Sequence, residues 1–345
     1  MSVVFLKRPF YTGRSALVLL GEIIRVSWQR VRRGPALSGW SWLFEVMTGF
    51  LRRQERIASA VPSMAEQRLY TDALVLPSPA QRQVQREPIT DETVRGCWYT
   101  PRSELQERTI LYLHGGGYAF YSRMHENLIA LVARASRART FAPDYRLAPE
   151  HPFPAQLDDA LAAYRWLLGR GQDPGRLIVM GDSAGGNLVL ALLLALRDAQ
   201  EPLPALGVCL SPWTDVESTY ESMSTNEAYD WVNRAEVAQF RTWFVGEHSS
   251  TDPLVSPMHA DLRGLPPIYI QAGGAEILID MIRAFTSIAH QQGAQVELEV
   301  WEQMNHDFQA YGTAMPQSAQ ALSRLGHVID TALSVSPAVT TRHDQ

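Results

Sequence analysis

The sequence predicts an α/β fold with one mostly parallel central sheet flanked by helices, and three observations carry that prediction. From about residue 66, short β-rich runs alternate with helical stretches, the rhythm of βαβ units. Gly181-Asp182-Ser183-Ala184-Gly185 joins a buried-strand pattern at 176–181 to an almost all-apolar helix pattern. The length, 345 residues, suits one large domain with added segments and is short for two full domains.

In chain order, 17–31 and 43–57 read as helices from apolar residues three and four apart, broken by Arg32-Arg33-Gly34-Pro35. Strands are expected at 73–76, 94–99, 109–113, 140–142, 177–180, 206–210, 268–271 and 296–301. Helices are expected at 127–135, 155–168, 184–198, 281–292 and 319–333. The span 214–250 breaks the rhythm with no strand and reads as an insertion at the carboxyl edge of the sheet, where α/β domains bind ligands. The polar tail 336–345 reads as disordered.

Hydrophobic residues make up 46 % and charged residues 19 %, which excludes wholesale disorder. A net charge of −5 argues against nucleic acid, whose phosphates need a basic surface. The charge is uneven: residues 1–60 carry +7 and the remainder −12. Two cysteines, Cys97 and Cys209, give neither a disulfide framework nor a metal site. No apolar run reaches the roughly 18 residues of a membrane span, and Glu22 interrupts the best N-terminal candidate, which also lacks a cleavage site. A cytoplasmic location without stable membrane insertion is expected.

The chemistry concentrates in three places. The Gly-x-Ser-x-Gly turn sets Ser183 in a strained strand-to-helix corner at a helix N-terminus, where negative charge is favoured. A phosphate-holding glycine turn is the alternative. Upstream, a strand pattern ends in His114-Gly115-Gly116-Gly117-Tyr118. Three glycines cost conformational entropy, so backbone amides are needed there. The amides of Gly116 and Gly117, with that of Ala184, suit the oxyanion of acyl transfer, while His114 reads as a pin for the loop. Downstream, His306 follows the last strand pattern, where a base belongs. Both Glu276 and Asp280 follow the penultimate strand. Glu276 is favoured as the acid because it lies nearest the strand end, and Asp280 reads as a helix N-cap.

Together with Asp144-Tyr-Arg-Leu-Ala-Pro-Glu-His-Pro-Phe-Pro-Ala155, these motifs resemble those of the hormone-sensitive lipase family of bacterial esterases, in the branch with aspartate before the nucleophile. The resemblance spans about 66–335. It implies an α/β-hydrolase core (66–213 and 251–335) and a helical cap from residues 1–65 and 214–250. It also implies hydrolysis of short- to medium-chain carboxylic esters, a small-molecule ester substrate, no cofactor and often a homodimer. The family often has Asp-Pro-Leu-Arg-Asp at the acid; Glu276 aligns with its first aspartate. Asp144, Arg146 and Glu150 are expected to form a buried polar brace. Lactones and acetyl esters are alternative substrates for the same machinery. A non-catalytic receptor of this family lacks the histidine that this chain keeps at 306. A membrane-working lipase would rely on the basic N-terminus.

Overall fold

The apolar runs of the sequence pair side by side because helices cover them on both faces. The structure is a computed structural model and describes residues 2–335 apart from 62, 73–78, 92, 106–107 and 218. Three helices come first: α1 (Ser2–Arg33), α2 (Trp42–Ser59) and α3 (Met64–Thr71). Then follow β1 (Val84–Thr90), β2 (Arg95–Pro101), β3 (Thr109–Leu113), α4 (Arg123–Ser136), β4 (Arg139–Pro143), α5 (Ala155–Gly169), β5 (Leu177–Asp182), α6 (Ala184–Asp198) and β6 (Leu206–Leu210). The insertion contributes α7 (Ser222–Thr225) and α8 (Arg234–Val245). The chain closes with β7 (Ile268–Gly273), α9 (Ile279–Gln291), β8 (Val296–Trp301) and α10 (Pro316–Val335).

The eight strands run β1-β2-β4-β3-β5-β6-β7-β8. β2 pairs antiparallel with β1 and β4, and every other pair is parallel. One core layer packs α5, α6 and α9 on one face; a second packs α4 and α10 on the other. β3, β5, β6 and β7 are buried at every position. That is why they read as unbroken apolar runs.

Two elements escape the sequence pattern. β1 is exposed at most positions and shows no apolar alternation, and α3 is only eight residues long. The strand expected at 73–76 and the tail at 336–345 lie outside the described residues. The brace expected from Asp144, Arg146 and Glu150 is not buried. Arg146 pairs with Asp159 at 2.8 Å and Glu150 with Arg68 at 2.8 Å, all at the surface, and Asp144 is exposed. The apolar members of that motif, Tyr145, Ala148 and Phe153, take the interior instead. Among the described residues, no helix is long and apolar enough to cross a membrane.

β5 turns into α6 directly against the end of β3. A Cβ at Gly185 would collide with the main-chain oxygens of Leu113 and His114, which cannot give way without moving a central strand. Gly185→Ala should therefore lower stability by about 1–3 kcal/mol, the usual range for overpacking. Urea unfolding should show a lower midpoint at an unchanged slope.

Candidate active site

Ser183 occupies the turn between β5 and α6 with φ 53° and ψ −120°, a left-handed conformation that costs a non-glycine residue energy. Its neighbours hold it there. Its amide donates to Leu210 O at 2.8 Å, and its carbonyl accepts from Trp213 N and Asn187 N, each at 3.1 Å. The side chain therefore stands at the N-terminus of a helix buried from Ala184 to Leu194.

The glycine loop is tied to this turn at both ends. Asp182 accepts the Tyr112 hydroxyl at 2.7 Å and the amide of Gly115. Tyr118 donates its hydroxyl to Asn187 Oδ1 at 2.6 Å, while Asn187 Nδ2 donates to Trp213 O and Val255 O. Between these ties, Gly116 has φ +92°, and a Cβ there would strike the Phe120 carbonyl. Among the described residues, the amides of Gly116 and Gly117 donate to no acceptor, and both residues line the cleft that holds Ser183. His114 is buried, its ring stacked on Tyr145 at 4.2 Å and its Nδ1 2.8 Å from Gly115 O. Burial pushes its imidazole well below the usual range.

Glu276 follows β7 and is fully buried. Its Oε2 accepts from the Ser211 hydroxyl at 2.5 Å and the Gly273 amide at 3.2 Å, and lies 3.8 Å from His306 Nδ1. Neither His306 Nδ1 nor Glu276 Oε1 has another partner, so a small inward shift would close a hydrogen bond. Burial pushes Glu276 up to about 8 and His306 down to about 3, which keeps the resting imidazole neutral. Asp280 is not the N-cap expected of it; Leu278 holds that position. Asp280 lies in the first turn of α9 and accepts the Ser222 amide of α7 at 2.8 Å.

Three polar residues around His306 had no motif to announce them. Asp230, buried in the insertion, accepts the amides of Ile277 at 2.8 Å, His306 at 3.2 Å and Trp231 at 2.8 Å. One carboxylate thus grips both the loop that carries Glu276 and the loop that carries His306. The Trp231 indole donates to His306 O at 2.7 Å. Asp307, at φ 49°, brings Oδ2 within 3.3 Å of His306 Nε2. Burial, then Asp182, Glu276 and Asp230, push its carboxyl well up.

The cleft is walled by Phe50, Gln54 and Glu55 of α2 and by Trp231, Glu236 and Phe240 of the insertion. α2 also docks on the His306 loop: the Trp40 indole before it donates to Gln303 O, and Asn305 Nδ2 donates to Thr48 Oγ1 at 2.8 Å. Arg52 donates to the carbonyls of Asp230 and Ala228. Burial pushes Glu55 up to about 8 and Glu236 up to about 7. Among the described residues, no cluster of His, Cys, Asp and Glu could hold a metal ion. Cys97 and Cys209 are free thiols.

Residues 110–310 match a family model described as an alpha/beta hydrolase fold. An acetyl-hydrolase of Streptomyces hygroscopicus is 41 % identical over 245 residues, which span 70 % of this chain and 82 % of that relative. An esterase of Acinetobacter venetianus is 34 % identical over 248 residues, 71 % of this chain and 82 % of its own length. Among solved structures, an esterase from the bacterial hormone-sensitive lipase family superposes with a TM-score of 0.75 at 41 % identity. That match covers 82 % of this chain and 97 % of the other.

The grip of Asp230 can be measured. Asp230→Ala leaves three buried amides without acceptors and frees both loops, so kcat should fall on the order of 10²-fold, the effect of roughly 1 Å of misplacement. Asp230→Asn keeps one acceptor oxygen and should recover part of the loss. Equal kcat in all three proteins would remove Asp230 from the account.

Proposed function

The chain belongs to the hormone-sensitive lipase family of α/β hydrolases and is a carboxylic ester hydrolase, and from that premise we propose that Ser183, His306 and Glu276 carry out the hydrolysis. The observation that supports this most is the convergence on one cleft of a strained Ser183, two unpartnered glycine amides and a neutral His306 facing a buried carboxylate. His306 Nε2 takes the proton of the Ser183 hydroxyl as the oxygen attacks the ester carbonyl. The amides of Gly116, Gly117 and Ala184 receive the oxyanion. The alcohol leaves with the proton from His306. A water then repeats the sequence, loses its proton to His306, and frees the acid and Ser183. Glu276 keeps the Nδ1–H tautomer oriented throughout.

On this reading, α2 and the insertion are the cap. Their rings, Phe50 and Phe240 with Phe120 of the core, narrow the cleft and favour short to medium acyl chains. The relationship to an acetyl-hydrolase supports acetyl esters as a second reading for the same residues.

Ser183→Ala should fold normally and lose ester hydrolysis by several orders of magnitude, because the triad acts as a unit. An organophosphate should label Ser183; labelling of another serine would sink the assignment. Glu276→Gln should cut kcat on the order of 10⁴-fold, as an amide does at a triad acid. Asp280→Asn should act mainly on stability through its lost contact with α7. The base must be neutral to accept a proton, and a His306 pKa held down to about 3 keeps it neutral across the working range. Glu276, held up to about 8, then sets the acid limb. The kcat/KM should therefore fall from pH 7.5 to pH 5.5 as Glu276 takes up a proton, and Glu276→Gln should flatten that fall.

A further inference from the structure

Helix α1 wears its polarity inside out. The face turned to the protein carries Tyr11, Ser15, Glu22 and Val26, all buried. Polar contacts bind it there: Gln54 donates to Ser15 Oγ at 2.7 Å, and Arg30 pairs with Glu45 at 2.7 Å. The face turned to solvent carries Phe10, Leu17, Leu20, Ile24, Trp28 and Val31, exposed by 53 % to 88 %. Spacings of three, four and seven put these side chains in one stripe. Trp42 and Leu43, each 41 % exposed, extend it onto the start of α2, where the Trp42 indole donates to Ser27. A soluble surface rarely leaves so continuous an apolar face uncovered.

The charge beside the stripe says what covers it. Arg14, Arg25 and Arg32 are exposed and fall in one row along its edge, since spacings of eleven and seven keep to one side of a helix. The Arg32 guanidinium lies over the Trp28 ring at 4.1 Å, joining the row to the stripe. α1 holds one acid, Glu22, which is buried and already paired with Arg25 at 2.6 Å. A second copy of this chain packed stripe to stripe would set arginine rows against each other with no acid to separate them. Anionic lipid offers apolar chains beneath a plane of negative phosphates, and so complements both features.

We infer that α1 lies in the plane of an anionic bilayer, its apolar stripe among the acyl chains and its arginine row at the phosphates, holding the enzyme on the lipid surface. No catalytic group takes part, so the inference stands apart from the hydrolytic reading. At 32 residues the helix rests along the surface and does not cross it. α2 remains on the cleft, so the first sixty residues divide into a helix that faces the membrane and a helix that walls the site.

Vesicle flotation of the full chain tests this, with phosphatidylcholine alone and with about 30 % phosphatidylglycerol added. Binding should be at least about tenfold greater on the anionic vesicles and should weaken in high salt. The triple variant Leu20→Glu, Ile24→Glu, Val31→Glu should lose that binding by about tenfold or more. Its turnover of p-nitrophenyl butyrate in solution should match the parent and report an intact fold. Three results would overturn the inference. They are no preference for anionic vesicles, binding that survives the triple variant, and a lipid-free dimer, seen by light scattering, that the triple variant dissolves.

Discussion

Everything in the site depends on how closely the turn after β5 approaches the end of β3. Glycine at 185 lets the main chain of α6 rest against the carbonyls of Leu113 and His114, and only that contact puts Ser183 beside the glycine loop. Two buried side chains then convert proximity into fixed geometry. Asp182 takes Tyr112 and the Gly115 amide; Asn187 takes Tyr118 and reaches across to Trp213 and Val255. Removing either partner of such a buried pair strands the other at a cost of about 1–3 kcal/mol, so the loop has little freedom to drift. The amides of Gly116 and Gly117 are thereby held in place at the edge of the cleft.

Carboxyl groups gather in the buried surroundings of this turn. Asp182, Asp230, Glu276 and Asp307 are all buried, and burial leads the causes that push each of them up. The fold answers with main-chain amides: three go to Asp230 and one to Glu276. Amides stabilise a carboxylate while adding no mobile charge, so the imidazole of His306 gains no cationic neighbour to compete with it. Asp307 receives no such help at Oδ1 and sits against Nε2. Burial and the nearby carboxyl groups of Asp182, Glu276 and Asp230 disfavour its charged form.

Much of this was legible in the sequence. β3 and β6 run over the residues their patterns mark, and α6 spans 184–198 as read, because continuous burial writes itself as continuous apolarity. β8, only part-buried, shows instead as Val296, Leu298 and Val300 alternating with Glu297 and Glu299. Glu276 and His306 could be placed because each follows a strand end. Asp230 could not. It lies in a segment with no strand and mixed helical patterning, and its function is to accept amides from residues 47 and 76 positions away. Asp144, Arg146 and Glu150 show the opposite failure, since a charged motif gives composition but not the side to which each carboxylate turns. β1 was missed for the same reason: its pairing with β2 is made by main-chain groups, while its side chains face water.

The division of labour among the N-terminal helices follows from which face of each one finds a partner. α2 buries Phe44, Val46 and Phe50, and Thr48 beside them meets Asn305, one residue before His306. Its apolar stripe is spent on the hydrolase. α1 has no such outlet, because α2 and α3 meet it with Gln54, Glu45 and Glu66 and so draw its polar residues inward. Turning α1 over to hide Leu17, Leu20 and Ile24 would strip Ser15 and Arg30 of these partners and press the apolar stripe against polar neighbours. The outward stripe is therefore the consequence of a polar seam. The excess of +7 in the first sixty residues, against −12 in the remainder, orients that face toward negative surfaces before any contact is made.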